Sequence, residues 1–262
     1  MRHRTPIGGA EDKNALPGED VNWTHTTLAA PHDVPDKVGR VRHMFNSIAP
    51  RYALVNTIFS AGRDRLWRRR AAELAETRAA DVVLDVACGT GEFADAFERA
   101  GARLVVGCDF AHEMLVRAAS RWNGTGRLCE GDALHLPFPA ESFTITSCAF
   151  GIRNFGDLPA CLAEMFRVLR PGGRAVILEF SRPANRAVRF VYELYANHVM
   201  PTAASIVSGD RTGAYRYLPR SVVSFLDPGQ TCAELRRAGF SRCQAIPLTA
   251  GVVTVYLASR EL

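Results

Sequence analysis

The sequence predicts an α/β protein built on a doubly wound, mostly parallel sheet whose last strand runs antiparallel. Two observations support this fold class. Short apolar runs alternate with helical segments from residue 81 to residue 238, as in repeated strand–helix–strand units. Two final strand-like runs, about 241–247 and 251–259, are separated by too few residues for a parallel crossover.

Each element has recognisable boundaries. The run 81–86 is apolar and ends in a glycine-rich loop, as expected of a buried parallel strand. A helix is expected over about 92–100 because Gly101 follows in the usual terminating position. The alternation continues with strand 104–109, helix 111–122, strand 127–130, strand 143–150, helix 158–169, strand 174–180 and helix 229–238. A sheet that closes with a reversed hairpin is typical of Rossmann-like methyltransferases rather than of dehydrogenases.

Residues 1–34 are predicted to form a flexible tail. They are polar, with proline, glycine and acidic residues, and carry too few apolar groups to order themselves. Residues 35–262 are therefore expected to form the folded domain. A chain that starts at Pro35 is expected to keep its stability.

Two segments of the domain lie outside the strand–helix alternation. Residues 35–77 carry apolar residues at helical spacing and predict a helical cap of two or three short helices, broken around Pro50 and Gly62. Residues 183–226 are rich in aromatic residues and predict a lid that contacts an acceptor.

Composition excludes several classes of protein. The net charge of +5 is mild, and no basic stripe with interleaved aromatic residues indicates a nucleic-acid partner. None of the seven cysteines forms a CxxC pair or has histidine at metal-ligand spacing, which predicts a reducing compartment and no bound metal. No signal peptide and no apolar run of membrane-spanning length is visible, so a cytoplasmic protein is expected.

The segment 85–92 (DVACGTGE) predicts a ligand site. Gly89 and Gly91 allow a tight turn and close approach of a ligand at the carboxyl edge of the sheet, although any tight turn after a strand can require glycine. The segment lacks the GxGxxG pattern that cradles a pyrophosphate, which favours a ligand without phosphate. We therefore predict S-adenosylmethionine, with Asp85 facing its cationic amino-acid end and Thr90 in the binding loop.

Two further strand ends carry acidic residues. Asp109 ends the second strand, roughly 20 residues after the loop, where a carboxylate accepts hydrogen bonds from ribose hydroxyls. The alternative for Asp109 is a cap for the next helix. Asp132 and Ala133 follow the third strand, where they would contact adenine; the alternative is a simple turn. Three such features at successive strand ends favour one cofactor site.

Several segments resemble the UbiE/MenG family, the C-methyltransferases of ubiquinone and menaquinone biosynthesis, over about residues 37–258. The most specific are 44–52 (MFNSIAPRY), 150–154 (FGIRN) and 215–218 (YRYL). Ala53, Thr144 and Ala149 stand where the family usually has Asp, Asp and Ser. These departures leave the acceptor open.

The resemblance implies a class I methyltransferase that uses S-adenosylmethionine to methylate a ring carbon of a prenylated quinol. The acceptor would be demethylmenaquinol, the ubiquinone-pathway benzoquinol, or both. Two alternatives stay open: another small phenolic or secondary-metabolite acceptor, and a non-catalytic nucleotide-binding protein on the same fold.

Arg153 and Asn154 are the predicted catalytic residues. A ring carbon becomes nucleophilic when a neighbouring hydroxyl ionises, so the site must stabilise a phenolate. Arg153 stays protonated and would supply that charge, with a salt bridge holding its loop as the alternative. Asn154 would orient the acceptor oxygen or a water. Further candidates are Tyr52, Asn56 and His198, although His198 is equally consistent with a core histidine.

A prenyl tail requires an apolar groove, which the cap 35–77 and the segment 183–226 would supply. Arginines at 63, 65, 68, 69 and 70 predict contact with anionic headgroups at the inner membrane face, with a solvated helix face as the alternative. A homo-oligomer remains open.

Overall fold

Seven strands form a single sheet in the part of the chain that the structure describes. The structure is a computed structural model and describes residues 21–24, 26–60, 62–122, 127–195 and 212–262. The strands are β1 (Val82–Val86), β2 (Leu104–Asp109), β3 (Arg127–Glu130), β4 (Phe143–Ala149), β5 (Leu169–Phe180), β6 (Arg242–Leu248) and β7 (Val253–Ser259). Their order across the sheet is β3-β2-β1-β4-β5-β7-β6.

Strand direction confirms the predicted fold class. The pairs from β3 through β5 are parallel, whereas β7 is antiparallel to both β5 and β6. Strand β1 lies between β2 and β4, so the strand order changes direction there. At such a switch point the following connections leave on opposite faces, and a crevice opens beyond the carboxyl ends of the strands.

Helices cover both faces of the sheet. They are α1 (Lys37–Phe59), α2 (Arg63–Leu74), α3 (Glu92–Arg99), α4 (His112–Arg121), α5 (Leu158–Val168), α6 (Arg186–Leu194), α7 (Ala214–Val223) and α8 (Pro228–Arg237). Val83 packs with α2 and α3, and its neighbour Leu84 packs with α5 and α8, because successive strand residues point to opposite faces. None of the helices in these described ranges is both long and apolar enough to cross a bilayer.

Helix α1 continues through Pro50, where the sequence predicted a break. Proline removes one backbone hydrogen bond and crowds the preceding turn, which normally ends a helix. Here Met44 and Ile48 before Pro50 are buried, and Tyr52 after it packs on the same cluster, so contacts on both sides stabilise one continuous helix. The second predicted break is confirmed, because Gly62 adopts φ +73° between α1 and α2.

The prediction that residues 1–34 form a flexible tail is wrong for the last part of this segment. Trp23 and Leu28 are buried, with 1% and 3% of their surface exposed. The Trp23 ring stacks on Tyr217 of α7 at 4.1 Å between centroids, and its backbone N–H donates to the Thr212 carbonyl at 2.8 Å. One large aromatic ring thus supplies the apolar contact that the polar composition of the segment concealed. Residues 1–20 lie outside the described residues.

A disulfide joins Cys232 of α8 to Cys243 of β6, with Cα atoms 5.5 Å apart. The sequence predicted a reducing compartment, in which a disulfide is not expected, because no two cysteines form a CxxC motif. The packing of α8 on β6 brings these two residues together. The other five cysteines, four of them buried, are free thiols.

Replacing Trp23 with alanine is expected to lower the free energy of unfolding by about 3–5 kcal/mol, as for other fully buried aromatic residues. Urea unfolding followed by circular dichroism measures the change. The control is Val21→Ala, a neighbouring residue with 38% of its surface exposed, which should shift stability by less than about 0.5 kcal/mol. Equal stability of the Trp23 variant and the wild type would restore the flexible-tail prediction.

Candidate active site

The loop between β1 and α3 turns the chain sharply at the carboxyl edge of the sheet. Gly89 and Gly91 adopt φ values of +56° and +85°, a region that residues with a side chain rarely populate. The Gly89 N–H donates a 2.8 Å hydrogen bond to Oδ2 of Asp109 at the end of β2. The loop and the neighbouring strand end are thereby tied together.

A cavity of about 710 Å³, here called the strand-edge cavity, opens in front of this loop. The predicted cofactor residues on its wall are Gly89, Asp109, Asp132 and Ala133. Val38, Phe45 and Tyr52 of α1 cover it from the opposite side. The three strand ends that the sequence singled out therefore meet at one cavity.

Asp109 accepts hydrogen bonds from backbone groups on both sides of it. Its Oδ1 accepts a 2.8 Å hydrogen bond from the Ala111 N–H just before α4, and its Oδ2 accepts from Gly89. The N-cap residue of α4 is Ala111, so Asp109 is not the helix cap that the sequence offered as an alternative. Burial raises the pKa of Asp109 to about 6, against the backbone hydrogen bonds that lower it. A carboxylate has about four acceptor positions, so the backbone donors at Gly89, Phe110 and Ala111 do not use all of them.

Asp132 and Ala133 lie at the far end of the strand-edge cavity. Oδ1 of Asp132 accepts a 3.0 Å hydrogen bond from the Leu134 N–H, so the turn that the sequence offered as an alternative is present. Both residues border the cavity nonetheless. The turn and the ligand contact are therefore compatible.

Asp85 lies behind the cavity instead of on its wall. The residue is fully buried, and its Oδ1 accepts a 2.7 Å hydrogen bond from Ser147 Oγ on β4. Its Oδ2 has no hydrogen-bond partner among the described residues. Burial raises the pKa of Asp85 to about 7, although the Ser147 hydrogen bond and the Arg68 charge oppose the rise.

Thr90 and Gly91 face away from the strand-edge cavity. They border a separate groove between α2 and α3, and Thr90 Oγ1 donates to the Glu92 carboxylate at 2.7 Å. The structure thus brings four of the seven predicted cofactor residues onto one wall. It places Asp85, Thr90 and Gly91 behind or beside that wall.

A second cavity of about 1020 Å³ adjoins the first and is here called the aromatic cavity. Its ring-bearing residues are Tyr52, Trp67, Phe150, Phe180, Tyr192 and Tyr195. Residues of the predicted cap 35–77 and of the segment 183–226 both line it. Tyr52 and Phe150 border both cavities, so these two side chains form the shared wall.

Phe150 holds an unusual backbone conformation at this wall. Its φ is +59°, in the left-handed region that disfavours bulky residues and is often found at functional sites. Its carbonyl oxygen accepts hydrogen bonds from Arg153 Nη1 at 2.7 Å and from Asn154 Nδ2 at 3.2 Å. The Phe180 ring packs on its ring at 4.6 Å. Two residues of the motif FGIRN, Arg153 and Asn154, therefore hold the backbone of its first residue, Phe150.

Arg153 is also ion-paired inside the protein. Its Nη1 lies 2.5 Å from Glu179 Oε1, and the two side chains are 3% and 0% exposed. Burial lowers the pKa of Arg153, but the Glu179 carboxylate outweighs it and the net shift is upward. The salt bridge that the sequence offered as an alternative therefore exists, while Arg153 still borders the aromatic cavity.

Glu179 was not predicted as a functional residue, although the sequence contains a signal for it. It interrupts the apolar run 175–180 of a buried strand. A carboxylate at such a position requires a buried cationic or hydrogen-bonding partner. Only the fold shows that Arg153 is this partner, because 26 residues separate the two.

The remaining predicted residues have different surroundings. Asn154 borders the strand-edge cavity and accepts a 2.9 Å hydrogen bond from the Tyr217 hydroxyl. Asn56 borders the aromatic cavity. Burial raises the pKa of Tyr52, against the charge of Arg153 and a hydrogen bond with Asn56 that lower it. His198 lies outside the described residues.

The arginine cluster of α2, which is predicted to contact anionic headgroups, is partly ion-paired within its own helix. Arg68 is buried and pairs with Asp64 at 2.9 Å. Arg69 and Arg70 both pair with Glu73 on the same helix. Arg68 is thus paired inside the protein, whereas Arg69 and Arg70 are exposed and share one carboxylate. With five arginines and two acidic residues, α2 keeps a net charge of +3.

Thr144, one of the three departures from the family pattern, is far from both cavities. It therefore has no bearing on which acceptor binds. Its hydroxyl donates to Asp81 Oδ1 at 2.7 Å and accepts from the Val82 N–H at 2.9 Å. These residues lie where β1 and β4 begin, at the edge of the sheet opposite the cavities. Ala149, by contrast, borders the strand-edge cavity.

The sheet order, the reversed last strand and the cavity at the switch point define a Rossmann-like class I methyltransferase. Comparison with known families identifies the particular group. The model of the ubiE/COQ5 methyltransferase family matches residues 34–260. The chain belongs to this family.

Curated relatives agree with this assignment. The chain is 46% identical over 233 residues to demethylmenaquinone methyltransferase of Deinococcus radiodurans, covering 87% of this chain and 96% of the relative. It is 45% identical over 221 residues to the protein of that name from Thermus thermophilus, covering 83% and 100%. Ubiquinone/menaquinone biosynthesis C-methyltransferase UbiE of Methylococcus capsulatus is 39% identical over 229 residues, with 84% and 92% covered.

Solved structures of low sequence identity share the fold. An S-adenosylmethionine-dependent methyltransferase from Thermotoga maritima is 17% identical, with a TM-score of 0.62 over 84% of this chain and 100% of the other. The cyclase SpnF is 16% identical, with a TM-score of 0.64 over 87% and 98%. Because a cyclase has this fold too, the likeness supports the architecture alone.

Asp109→Ala is expected to weaken S-adenosylmethionine binding by about 1.5–3 kcal/mol, roughly ten- to a hundredfold, through the loss of charged hydrogen bonds. Titration calorimetry measures the dissociation constant, and circular dichroism checks the fold. The control is Glu130→Ala, which removes an exposed carboxylate at the end of the neighbouring strand β3. An unchanged dissociation constant for Asp109→Ala would exclude this residue from the cofactor site.

Asp85→Asn is expected to change how the stability of the ligand-free protein depends on pH. In the unfolded chain this carboxyl ionises near the usual aspartate pKa of 3.8, whereas folded Asp85 has a pKa of about 7. Between these values the folded state holds the extra proton, so stability falls as pH rises, by at most about 1.4 kcal/mol per unit. Asn keeps an acceptor for Ser147 and does not titrate.

The measurement is urea unfolding of both proteins over that range. Relative to the wild type, the variant should gain stability as pH rises from about 4 to 7 and gain no more above about 7. A difference in stability that stays constant with pH would show that the pKa of Asp85 is not raised.

Proposed function

We propose that this protein transfers the methyl group of S-adenosylmethionine to a ring carbon of a prenylated naphthoquinol, demethylmenaquinol. The observation that carries this proposal is the meeting of two cavities at Tyr52 and Phe150. One cavity carries the strand-end acidic residues, and the other is apolar and aromatic. The names of the relatives at 46% and 45% identity support the naphthoquinol acceptor.

The strand-edge cavity suits S-adenosylmethionine in its chemistry. Asp109 and Asp132 both line this cavity, and their carboxylates would accept hydrogen bonds from a ribose hydroxyl and from the adenine amino group. The buried carboxylate of Asp85, whose Oδ2 is unpartnered among the described residues, favours a cation on the far side of the loop. The bound cofactor supplies an electrophilic methyl group.

The aromatic cavity would hold the acceptor ring against the shared wall. Its rings would stack on a flat quinol and exclude water, and its aliphatic residues Leu218, Val222 and Val252 would contact the start of a prenyl chain. Methylation replaces the proton on the ring carbon, and this proton leaves to solvent. The chain therefore has two tasks, to align the reactants and to favour the ionised form of the quinol.

Arg153 is proposed to favour that ionised form. A quinol hydroxyl resembles a phenol, with a pKa near 10, and a fixed positive charge at the cavity wall stabilises its anion. The bonds to Glu179 and Phe150 hold the guanidinium in place. Because Glu179 offsets part of the charge, the effect depends on the position of Arg153 as well as on its sign.

The test is single-turnover methylation of a short-tailed demethylmenaquinol and a matched benzoquinol under reducing conditions. The wild type should methylate the naphthoquinol. Arg153→Lys keeps the charge but loses the planar fork, so its rate constant should fall about ten- to a thousandfold, with little change in cofactor affinity. Its melting temperature shows whether the fold survives.

Arg153→Ala alone would leave Glu179 buried and unpaired, which costs about 3–5 kcal/mol and endangers folding. The double variant Arg153→Gln/Glu179→Gln keeps two hydrogen-bonding amides and removes both charges. It should fold and turn over as slowly as Arg153→Lys. Normal turnover by the folded double variant would make Arg153 a structural residue.

The wild-type result tests the activity itself. Turnover of the benzoquinol alone would move the acceptor to the ubiquinone pathway. Turnover of neither quinol, with S-adenosylmethionine bound, would point to a different phenolic acceptor. A protein that does not bind S-adenosylmethionine would contradict methyl transfer altogether.

A further inference from the structure

Helix α6 exposes an apolar stripe to solvent. Phe190, Val191 and Leu194 are 68%, 64% and 51% exposed. The described residues include eight large exposed hydrophobic side chains, and three of them lie in this nine-residue helix. Residues 190 and 194 are one helical turn apart and therefore share a face, with 191 at its edge. Such a concentration marks an interaction surface.

The other face of α6 belongs to the aromatic cavity. Tyr192 borders the cavity, and so does Tyr195 directly after the helix, whereas none of the three exposed residues does. The helix is thus a single layer between the proposed acceptor site and solvent. A molecule that covers the exposed stripe lies one helix diameter from that site, about 10–12 Å.

The charges around the stripe favour an anionic partner. The segment 182–195 contains three arginines, at 182, 186 and 189, against one acidic residue at 193. Arg186 is exposed and lies one turn before Phe190, at the end of the apolar stripe. An apolar stripe bordered by arginine is typical of helices that lie in the plane of a membrane interface.

A second copy of the chain fits this surface less well. A symmetric contact uses the same surface on both copies, so it would place two sets of arginines at one interface, and like charges at an interface repel. The stripe is also only a few residues long, which is small for a stable dimer. An anionic bilayer satisfies the apolar residues and the arginines together.

We propose that α6 is an interfacial helix that docks the protein on an anionic phospholipid bilayer, with Phe190, Val191 and Leu194 in the headgroup–acyl boundary. This inference rests on the proposed function, since a prenylated acceptor is dissolved in the bilayer. Docking through α6 sets the aromatic cavity against the membrane surface. The acceptor ring then reaches the cavity while its tail stays in lipid.

The test is co-sedimentation with vesicles of phosphatidylcholine and phosphatidylglycerol in a 3:1 ratio, with pure phosphatidylcholine vesicles alongside. The wild type should bind the anionic vesicles, and binding should weaken with salt. Phe190→Ser/Leu194→Ser should lower the partition coefficient by roughly tenfold or more, because apolar burial drives interfacial binding.

The matched control is Leu66→Ser/Val116→Ser, which removes two exposed apolar side chains from α2 and α4. It should bind vesicles as the wild type does. Loss of binding in this control but not in the α6 variant would place the membrane surface on α2 or α4 and overturn the proposal. So would a wild type that does not bind anionic vesicles, or equal binding by the α6 variant.

Two further readouts separate the remaining explanations. Sedimentation velocity should show the same mass for the wild type and the α6 variant, and a dimer that the variant splits would mean that a second copy covers the stripe. Turnover of a short-tailed acceptor in solution should be unchanged in the α6 variant. Failure of the wild type in that assay would refute the proposed function, whereas the vesicle result tests α6 independently.

Discussion

The buried ion pair between Arg153 and Glu179 is the interaction on which the rest of the site depends. It joins the short 3-10 helix Ile152–Asn154, which follows β4, to the end of β5. The same guanidinium nitrogen donates a hydrogen bond to the Phe150 carbonyl. That bond helps to hold a bulky residue at φ +59°, a conformation that persists only where its surroundings enforce it. The buried ion pair between Arg153 and Glu179 therefore helps to fix Phe150, which forms part of the wall between the two cavities.

The elements outside the sheet complete the site by enclosing it. Helix α1 covers the strand-edge cavity, and its Tyr52 reaches the shared wall. The segment that carries Trp23 packs against Tyr217, whose hydroxyl in turn bonds Asn154. The chain thus reaches from the N-terminal segment to the motif FGIRN through two side-chain contacts. This continuity explains why a nominal tail contributes to the folded core.

The features that the sequence predicted correctly are those that depend on local patterns. The sheet, its reversed last strand and the cluster of Gly89, Asp109 and Asp132 follow from alternation and strand-end position, which depend on neighbours in the chain. The pair formed by Arg153 and Glu179 depends on the register of separate strands, so no spacing rule reveals it. The flexible tail predicted from composition was wrong for its last part, because burial of the single Trp23 side chain is enough to hold this polar segment on the domain.

The predicted break at Pro50 was wrong for a related reason. Its local penalty is real, but packing on both sides of it is worth more than one backbone hydrogen bond. The contrast with Gly62, where the predicted break is present, lies in the surroundings. Local rules decide the structure where tertiary contacts are few, and yield where they are many.

The wall formed by Tyr52 and Phe150 has an energetic consequence, because each ligand would touch side chains that the other also touches. A ligand in either cavity restricts their motion, so the second ligand loses less conformational entropy when it binds. Thermodynamic reciprocity makes this gain equal in both directions. Shared side chains of this kind would couple the two proposed sites, so that occupancy of either one would raise the affinity of the other.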